Sequence, residues 1–496
     1  MHERGQQPRR GRSYSMATGV VLGMIVSGVL VPFVVGRTGS TTSPGVGAIA
    51  SGAQGAGDQT VTTQPGDSGA GVMPLPADGR ANQSATDPTG GTQVAANARL
   101  TATDIGVSPT AIKVGALVPD LGSVQKLGFA IDGGDPEQQY RVYADDINRR
   151  GGINGRKVEV AIQRFDPAQT DTMQAACVAI ADDAKVFAAL SNGGFFGAAV
   201  QCLTRDRHVP LIVSIDSSPE EFYTESGGRL FTELMNKHRI MRAFVGELDR
   251  VGALRGRKLG IVDADLPADK TAVDGGLMPA LAQFGYKVTL RQTLSGDMAS
   301  QASQMPVAVQ RMRTAGVDTI LLPMNAVYNA QFVREADAQR YHPKYWASDF
   351  AGGTSDFAVQ TMPDSFDGTI GFTSLRTGEH RTSAPEAPAD ATCRAVFEKG
   401  TGTTLERGDG PYQATLGVCG LMQQFEVAAR LAGPALTRDG FSQSLRRQHD
   451  VTMPFFGGTG SYGPAKFDAA DSLRTVKAST KCQCWLPVDD FRRSRY

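Results

Sequence analysis

The sequence predicts a two-lobed α/β protein in which each lobe is a parallel sheet with helices on both faces. Segments that favour strands and helices alternate from residue 112 onward, an order typical of parallel sheets. A second alternation of similar size begins after residue 236. A long segment rich in Gly, Ser, Thr and Pro precedes both units and lacks apolar clusters. Two such units that face each other would enclose a cleft.

The first unit is predicted to alternate strands and helices from residue 112 to residue 216. Residues 112–120 (IKVGALVPD) are apolar and β-branched and end at Pro-Asp, which predicts a buried strand. Residues 157–165 (KVEVAIQRF) show the two-residue alternation of a strand. Further strands are predicted over 186–192 and 210–216, and helices over 137–150, 168–183 and 196–207.

The second unit repeats this order of elements without a residue-level repeat. Its helices are predicted over 237–251, 269–285, 303–316 and 330–340. Pro306 is expected to interrupt the third of these helices, because proline has no backbone N–H to donate. Its strands are predicted over 258–265, 286–294, 317–325 and 344–350.

The N-terminal region predicts a membrane anchor followed by a flexible linker. Residues 1–15 are basic and are expected in the cytoplasm, and the uncharged stretch 16–36, from Met16 to Gly36, spans about 30 Å as a helix. Residues 37–104 cannot bury enough apolar surface to fold and predict a disordered linker. The expected location is therefore the cell membrane, single-pass, with the rest extracytoplasmic. The alternative is a cleaved signal peptide and a secreted protein.

Charge and motifs argue against several classes of function. Lys+Arg and Asp+Glu both number 50, so no basic excess points to nucleic acid. The histidines form no helical pair that could bind a metal. Residues 458–463 match GxGxxG, but no strand precedes them and Pro464 follows, so a nucleotide site is not expected. No nucleophile–base constellation is present. We expect neither an enzyme nor a cofactor.

Ligands of open α/β sheets bind beyond the carboxyl ends of the strands, which selects particular loops here. In the first unit these are the loops 119–129, 192–195 and 214–218. In the second unit they are the loops 263–269, 325–328 and 349–353. The candidate ligand-binding residues in them are Asn192, Gly193, Gly194, Phe195, Ser214, Ser217, Ser218, Asp265, Asn325, Tyr328 and Asp349.

Several segments come in the order and spacing of one known family. They are VGALVPDLGSVQKLG, YADDINRRGGINGRKVEV, VFAALSN, PLIVSIDSSPEEF, KLGIVDAD and AGVDTILLPMNAVYNAQFVREADAQRYHPKYWASD, and GGTGSYGPAKFDAADSLRTVKAST also fits. Over about residues 105–485 the chain resembles the type I periplasmic binding proteins. Within that family it is most similar to the branched-chain amino acid and amide receptors of ABC transporters. The resemblance implies a Venus-flytrap fold, a ligand at the hinge cleft and no catalysis.

The resemblance also implies that the chain crosses three times between the lobes. Lobe 1 would hold about residues 105–233 and 379–450, and lobe 2 about residues 234–378 and 451–490. Together with the anchor, this organisation implies a receptor that delivers a small polar solute to an ABC permease. The alternative is a membrane-tethered sensor that uses the same fold to report its ligand.

Matching positions with the family suggests roles for five candidates. The family's serine after the third strand falls on Phe195, which has no hydroxyl. Ser217 and Ser218 match small polar contacts, Asp349 matches the acid that pairs with an ammonium, and Tyr328 falls near an aromatic contact. Each has a plainer alternative. Phe195 or Tyr328 could be core, a serine could cap the following helix, and Asp349 could cap a short helix over 353–359.

The six cysteines are expected to form disulfides if the domain is exported. Cys177 and Cys202 lie in the helices before and after the third strand, where βαβ geometry makes helices neighbours. Cys393 and Cys419 lie in two consecutive helices and are paired on the same ground. Cys482 and Cys484 could bridge locally or stay reduced. The alternative for all six is buried free thiols.

Overall fold

The computed structural model describes residues 100–126, 131–360 and 362–496. The predicted anchor at 16–36, the basic segment 1–15 and linker residues 37–99 lie outside the described residues. In the part of the chain that is described, no helix has the length and hydrophobicity of a membrane span. Linker residues Thr101 and Asp104 already bond to the folded part, to the Arg156 guanidinium (2.9 Å) and the Arg438 N–H (2.7 Å).

The first lobe contains a parallel sheet with the order β2-β1-β3-β4-β5, which confirms the predicted fold class for this unit. Strand β1 pairs with β2 along its whole length, from Ala111 opposite Lys157 to Pro119 opposite Phe165. The short β5 was not predicted. The strands are β1 (Ala111–Pro119), β2 (Lys157–Phe165), β3 (Ala188–Ser191), β4 (Leu211–Val213) and β5 (Leu230–Thr232).

Helices connect these strands and begin where local capping allows. The helix that starts at Pro136 is capped by Asp135, whose carboxylate accepts the N–H groups of Glu137 and Gln138. Two predicted helices continue as π-helical turns, at Ala179–Asp183 and Cys202–Asp206. The helices are α1 (Gly122–Lys126), α2 (Pro136–Arg149), α3 (Thr170–Val178), α4 (Ala198–Gln201) and α5 (Glu220–Glu225).

The second lobe begins at Lys237 and builds a larger mixed sheet. Its strands up to β10 pair in parallel in the order β10-β9-β8-β6-β7. These strands are β6 (Leu259–Asp265), β7 (Val288–Ser295), β8 (Thr319–Leu321), β9 (Lys344–Ser348) and β10 (Ile370–Thr373). The helices are α6 (Lys237–Arg250), α7 (Pro267–Ala272), α8 (Met278–Gln283), α9 (Met298–Thr314), α10 (Ala326–Ala338) and α11 (Asp356–Val359).

The predicted interruption at Pro306 is wrong, because α9 continues through this residue. Proline removes one backbone hydrogen bond from a helix interior. The apolar side of α9, which includes Met305, Val309 and Met312, is buried in the second lobe and holds the helix together. Helix packing therefore outweighs the local cost of the proline.

After β10 the chain returns to the first lobe. Helices α12 (Pro388–Thr401), α13 (Gly410–Ala432) and α14 (Arg438–Arg446) follow. The Tyr143 hydroxyl of α2 donates to the Cys393 carbonyl (2.9 Å), and Arg150 forms an ion pair with Glu426 of α13 (2.7 Å). These contacts place the returning helices against α2.

The last segment crosses back to the second lobe. Strands β11 (Ser472–Ser479), β12 (Cys484–Pro487) and β13 (Arg492–Arg493) add antiparallel pairs to its sheet, with β11 beside β10. The GxGxxG segment precedes them. Gly460 forms isolated antiparallel bridges to Val451 and Ala470, so the segment lacks the strand–turn–helix context of a nucleotide site.

All six cysteines are paired. Cys177 bonds to Cys202 and Cys393 bonds to Cys419, which are the pairs expected from the sequence. The open question of the last pair is resolved, because Cys482 bonds to Cys484 across the turn between β11 and β12. No free thiol remains.

Candidate functional site

The loops after β3 and β4 lie side by side at the carboxyl edge of the first lobe. The Gly194 N–H lies near the carboxylate of Asp216 and lowers its pKa. Gly193 has φ +111°, and a side chain at this position would lie about 3.0 Å from Ile215 Cγ1. The close approach of the two loops therefore requires glycine at position 193.

Asp216 is the acidic group of this edge. Its half-buried carboxylate also accepts the Ser217 N–H at 2.8 Å. Burial raises the pKa of Asp216, and the positive charge of Lys237 and the two N–H donors oppose this rise. The loop thus places a carboxylate beside the Gly194 N–H, where it disfavours a bound anion.

Lys237, at the start of α6, links the two lobes. Its backbone N–H donates to the Ser218 carbonyl of the first lobe (3.0 Å), and its ammonium pairs with Asp269 of α7. The ammonium also lies 5.1 Å from the centre of the Phe350 ring. Burial alone would lower the pKa of Lys237, but the negative charges of Asp269 and Asp216 outweigh this effect and raise it. Loops of both lobes therefore meet around one buried cation.

Phe195 does not face this cluster. Its side chain is 1% exposed and contacts Phe165 edge-on at 5.4 Å, within the core of the first lobe. The alternative of a core residue is therefore the one realised. In the same loop, the Asn192 amide donates to the Ala414 carbonyl of α13 (3.0 Å) and anchors the loop.

Ser217 and Ser218 are buried, with 5% and 6% of their surface exposed. Neither caps α5, because the residue before that helix is Pro219 and the side chain that accepts the Glu220 N–H is His238 (3.1 Å). The alternative of a helix cap is therefore wrong. Both hydroxyls remain available at the edge of the first lobe, within the part of the chain that is described.

The second-lobe candidates divide into a surface acid and two residues with internal bonds. Asp265 is exposed at the end of β6. Asn325 caps α10 by accepting the Tyr328 N–H (3.0 Å), and the Tyr328 hydroxyl donates to the Gly296 carbonyl (3.1 Å). Burial and the charges of Asp297 and Asp269 raise the pKa of Tyr328.

Asp349 is occupied by internal hydrogen bonds. One carboxylate oxygen accepts from the hydroxyls of Thr354 and Thr373, and the other accepts from the N–H and hydroxyl of Ser374. It does not cap the short helix predicted over 353–359, because that helix begins at Asp356 and has Ser355 at its N-cap. The capping alternative is therefore wrong. Through these hydrogen bonds the carboxylate connects the end of β9 to the end of β10.

Ser214 contacts a buried acid at the first crossing between the lobes. Its hydroxyl donates to Glu233, whose other oxygen accepts the Gln424 amide at 2.5 Å. The Gln424 carbonyl oxygen accepts the Tyr462 hydroxyl (2.7 Å), so the network joins the first and last crossings. Burial raises the pKa of Glu233 to about 8, and its two donors oppose this rise.

Glu233→Gln is expected to make folding stability less sensitive to alkaline pH. Glu233 is protonated in the folded state below pH 8 but ionised above about pH 4.5 in the unfolded chain. Its contribution to stability is therefore lost as the pH rises between these values. Relative to the variant, the wild type should lose about 2–3 kcal/mol of unfolding free energy from pH 6 to pH 8. Urea unfolding at each pH measures this, and parallel profiles would contradict it.

The sequence did not single out Asp216, Lys237, Asp269 or Glu233. Asp216 lies inside a loop that the strand-end rule selected, so its position was predicted but its role was not. Lys237 stands on an amphipathic helix, where a lysine usually faces water. The local sequence cannot show that Lys237 is buried among acids from two lobes.

The comparisons agree with this geometry. Residues 111–480 match the family described as Periplasmic binding protein. The fatty acid ABC transporter substrate-binding protein from Thermomonospora curvata is 19% identical, with a TM-score of 0.59, and covers 79% of this chain and 95% of its own. A branched chain amino acid ABC transporter protein from Thermus thermophilus with bound valine is 16% identical, with a TM-score of 0.58, and covers 78% and 98%.

A solute binding protein from Rhodopseudomonas palustris BisB5, in complex with 3,4-dihydroxybenzoic acid, is also similar. It is 15% identical, has a TM-score of 0.57, and covers 77% of this chain and 98% of its own. No curated protein matches the sequence. At these identities the structural likeness establishes the fold, and the ligand must be argued from the residues of the cleft.

Proposed function

This chain belongs to the periplasmic binding protein family, and from that premise we propose that it is the extracytoplasmic receptor of an ABC-type importer. It binds a small polar solute, amino acid or amide-like, between its two lobes. Residues 16–36 hold it in the membrane, and no chemical step is catalysed. Binding closes the lobes about the three crossings, as in other hinged receptors.

One observation supports this proposal above others. Loops of both lobes meet at the Lys237–Asp269 ion pair, and Lys237 is bonded through its backbone to Ser218 of the first lobe. A solute placed here would contact both lobes at once. Its binding energy could therefore favour the closed arrangement, as a hinged receptor requires.

The names of structural relatives indicate the range of solutes. One relative is named for fatty acids, one has bound valine and one has bound 3,4-dihydroxybenzoic acid. The present cleft contains charged and hydroxyl-bearing side chains, which favours a polar solute here. We assign its contacts to Gly193, Gly194, Ser217, Ser218, Asp265 and Tyr328.

A thermal-shift screen of the full-length chain tests the function. The panel contains amino acids, amides, urea, short peptides and sugars. A ligand at 100 times its Kd should stabilise the folded state by about 2.7 kcal/mol and raise the Tm by several degrees. Failure of the whole panel to raise the Tm would contradict the proposal.

In the sensor alternative, binding of a ligand in the same cleft would produce a signal instead of supplying the ligand to a permease. Purification of the full-length chain from membranes separates the two roles. An importer receptor should co-purify with a permease and an ATPase, whereas a sensor should co-purify with a kinase or regulator. A chain found wholly in the soluble fraction would contradict the anchor.

A further inference from the structure

The Asp216 carboxyl group has no cation in direct contact within the described chain. Its carboxylate is oriented by the Ser217 N–H, yet it forms no ion pair within 4.0 Å among the described residues. The loop therefore holds a carboxylate in a defined position at the cleft. An acid so placed is usually matched by an opposite charge.

The one cation beside Asp216 is already paired. Lys237 forms its ion pair with Asp269, and both groups are buried. Because Lys237 is already paired with Asp269, the ionised form of Asp216 has no cation in direct contact to offset the burial that raises its pKa. Asp349, a buried acid of the second lobe, is bonded to four donors of its own lobe. A further positive charge would complete the cluster.

The hydroxyls next to Asp216 point independently to a ligand. Ser217 and Ser218 are each more than nine-tenths buried. Their backbone N–H groups have partners, to Asp216 and the Tyr223 hydroxyl, but their hydroxyls bond to nothing within the described residues. Neither hydroxyl oxygen is among the fully buried polar atoms that lack a partner, so both reach solvent beside Asp216, where a polar ligand could bond to them.

We propose that Asp216 is the residue that recognises a positively charged group of the solute, a protonated amine or amidinium, with Ser217 and Ser218 accepting further N–H groups. This inference rests on the proposed function and narrows its solute to an organic cation or amine-bearing compound. The ammonium then binds to the first lobe. A carboxylate on the solute is disfavoured at the Gly194 N–H, because it would lie beside the Asp216 carboxylate.

The test measures binding of defined probes to the full-length chain by calorimetry. The cationic probes are putrescine and agmatine, the zwitterion is leucine, the neutral probe is acetamide, and the acids are benzoate and octanoate. We expect a cationic probe to bind best and Asp216→Asn to weaken it on the order of 10- to 100-fold, since a charged hydrogen bond is lost. Asp216→Glu retains the charge and should keep the preference for cations.

Asp183→Asn is the matched control. Asp183 is exposed at the end of the helical turn Ala179–Asp183, which leads into the amino end of β3, and the same change there should leave binding unaltered. Circular dichroism melting of each variant confirms that it folds. If Asp216→Asn does not fold, Asp216→Glu is measured in its place. This variant retains the carboxylate and should still bind the cationic probe.

The outcomes separate this inference from the proposed function. Cation binding that Asp216→Asn leaves unchanged would remove Asp216 from recognition. If benzoate, octanoate or acetamide bound best, the proposal of a cationic solute would be overturned while the receptor function would stand. Preferred binding of the two acids would also assign recognition of the solute to Lys237. No binding by any of these probes or by the wider solute panel would contradict both.

Discussion

The double variant Cys393→Ala/Cys419→Ala is expected to lose about 3.5 kcal/mol of its free energy of unfolding. This disulfide joins residues separated by 26 positions, and a cross-link of that span removes much conformational freedom from the unfolded chain. It also fixes α12 to α13, the helices that return to the first lobe. Both sulphurs are buried, at 0% and 2% exposure, so the change leaves a gap in the core.

The Cys482–Cys484 pair provides the control within the same chain. Its residues are separated by 2 positions, so the unfolded chain loses little freedom and Cys482→Ala/Cys484→Ala should cost about half as much or less. Urea unfolding of the oxidised proteins gives both values. Equal losses for the two double variants would show that loop span does not determine the stabilisation.

The sequence was sufficient for the order of most elements up to β9. Strands such as Lys157–Phe165 show their alternation locally, and the helices carry apolar faces that require a sheet beneath them. The strand Leu230–Thr232 was missed because three residues hold too little pattern, and its place depends on pairing with β4. Strands β10 to β13 are held by partners distant along the chain.

The site was predictable as a set of loops but not as a set of contacts. The strand-end rule selected the loops of Gly194, Asp216 and Asp349. Which side chains face the cleft depends on packing between lobes, and there the family likeness misplaced Phe195. Likewise, the family resemblance predicts that Asp349 pairs with an ammonium, but in this chain its neighbours are hydroxyls and a backbone N–H.

Asp349→Ala is expected to lower the free energy of unfolding by about 3–4 kcal/mol. The carboxylate is 4% exposed and accepts from the Thr373 hydroxyl at 2.6 Å and from the Ser374 N–H and hydroxyl at 2.7 Å each. Alanine would leave these donors and the Thr354 hydroxyl buried without acceptors. Burial raises the pKa of Asp349, and the four donors oppose this rise by stabilising its charge.

Asp364→Ala and Asp349→Asn make this prediction specific. Asp364 is exposed on the second lobe and its side chain has no bond within the described residues, so its removal should cost under about 0.5 kcal/mol. Asparagine at position 349 keeps one acceptor oxygen and should lose less stability than alanine. The contrary outcome is an Asp349→Ala variant that is as stable as the wild type and has lost binding of an amine. In that case Asp349 would be the ammonium contact that the family likeness implies, and its hydrogen bonds between β9 and β10 would not determine stability.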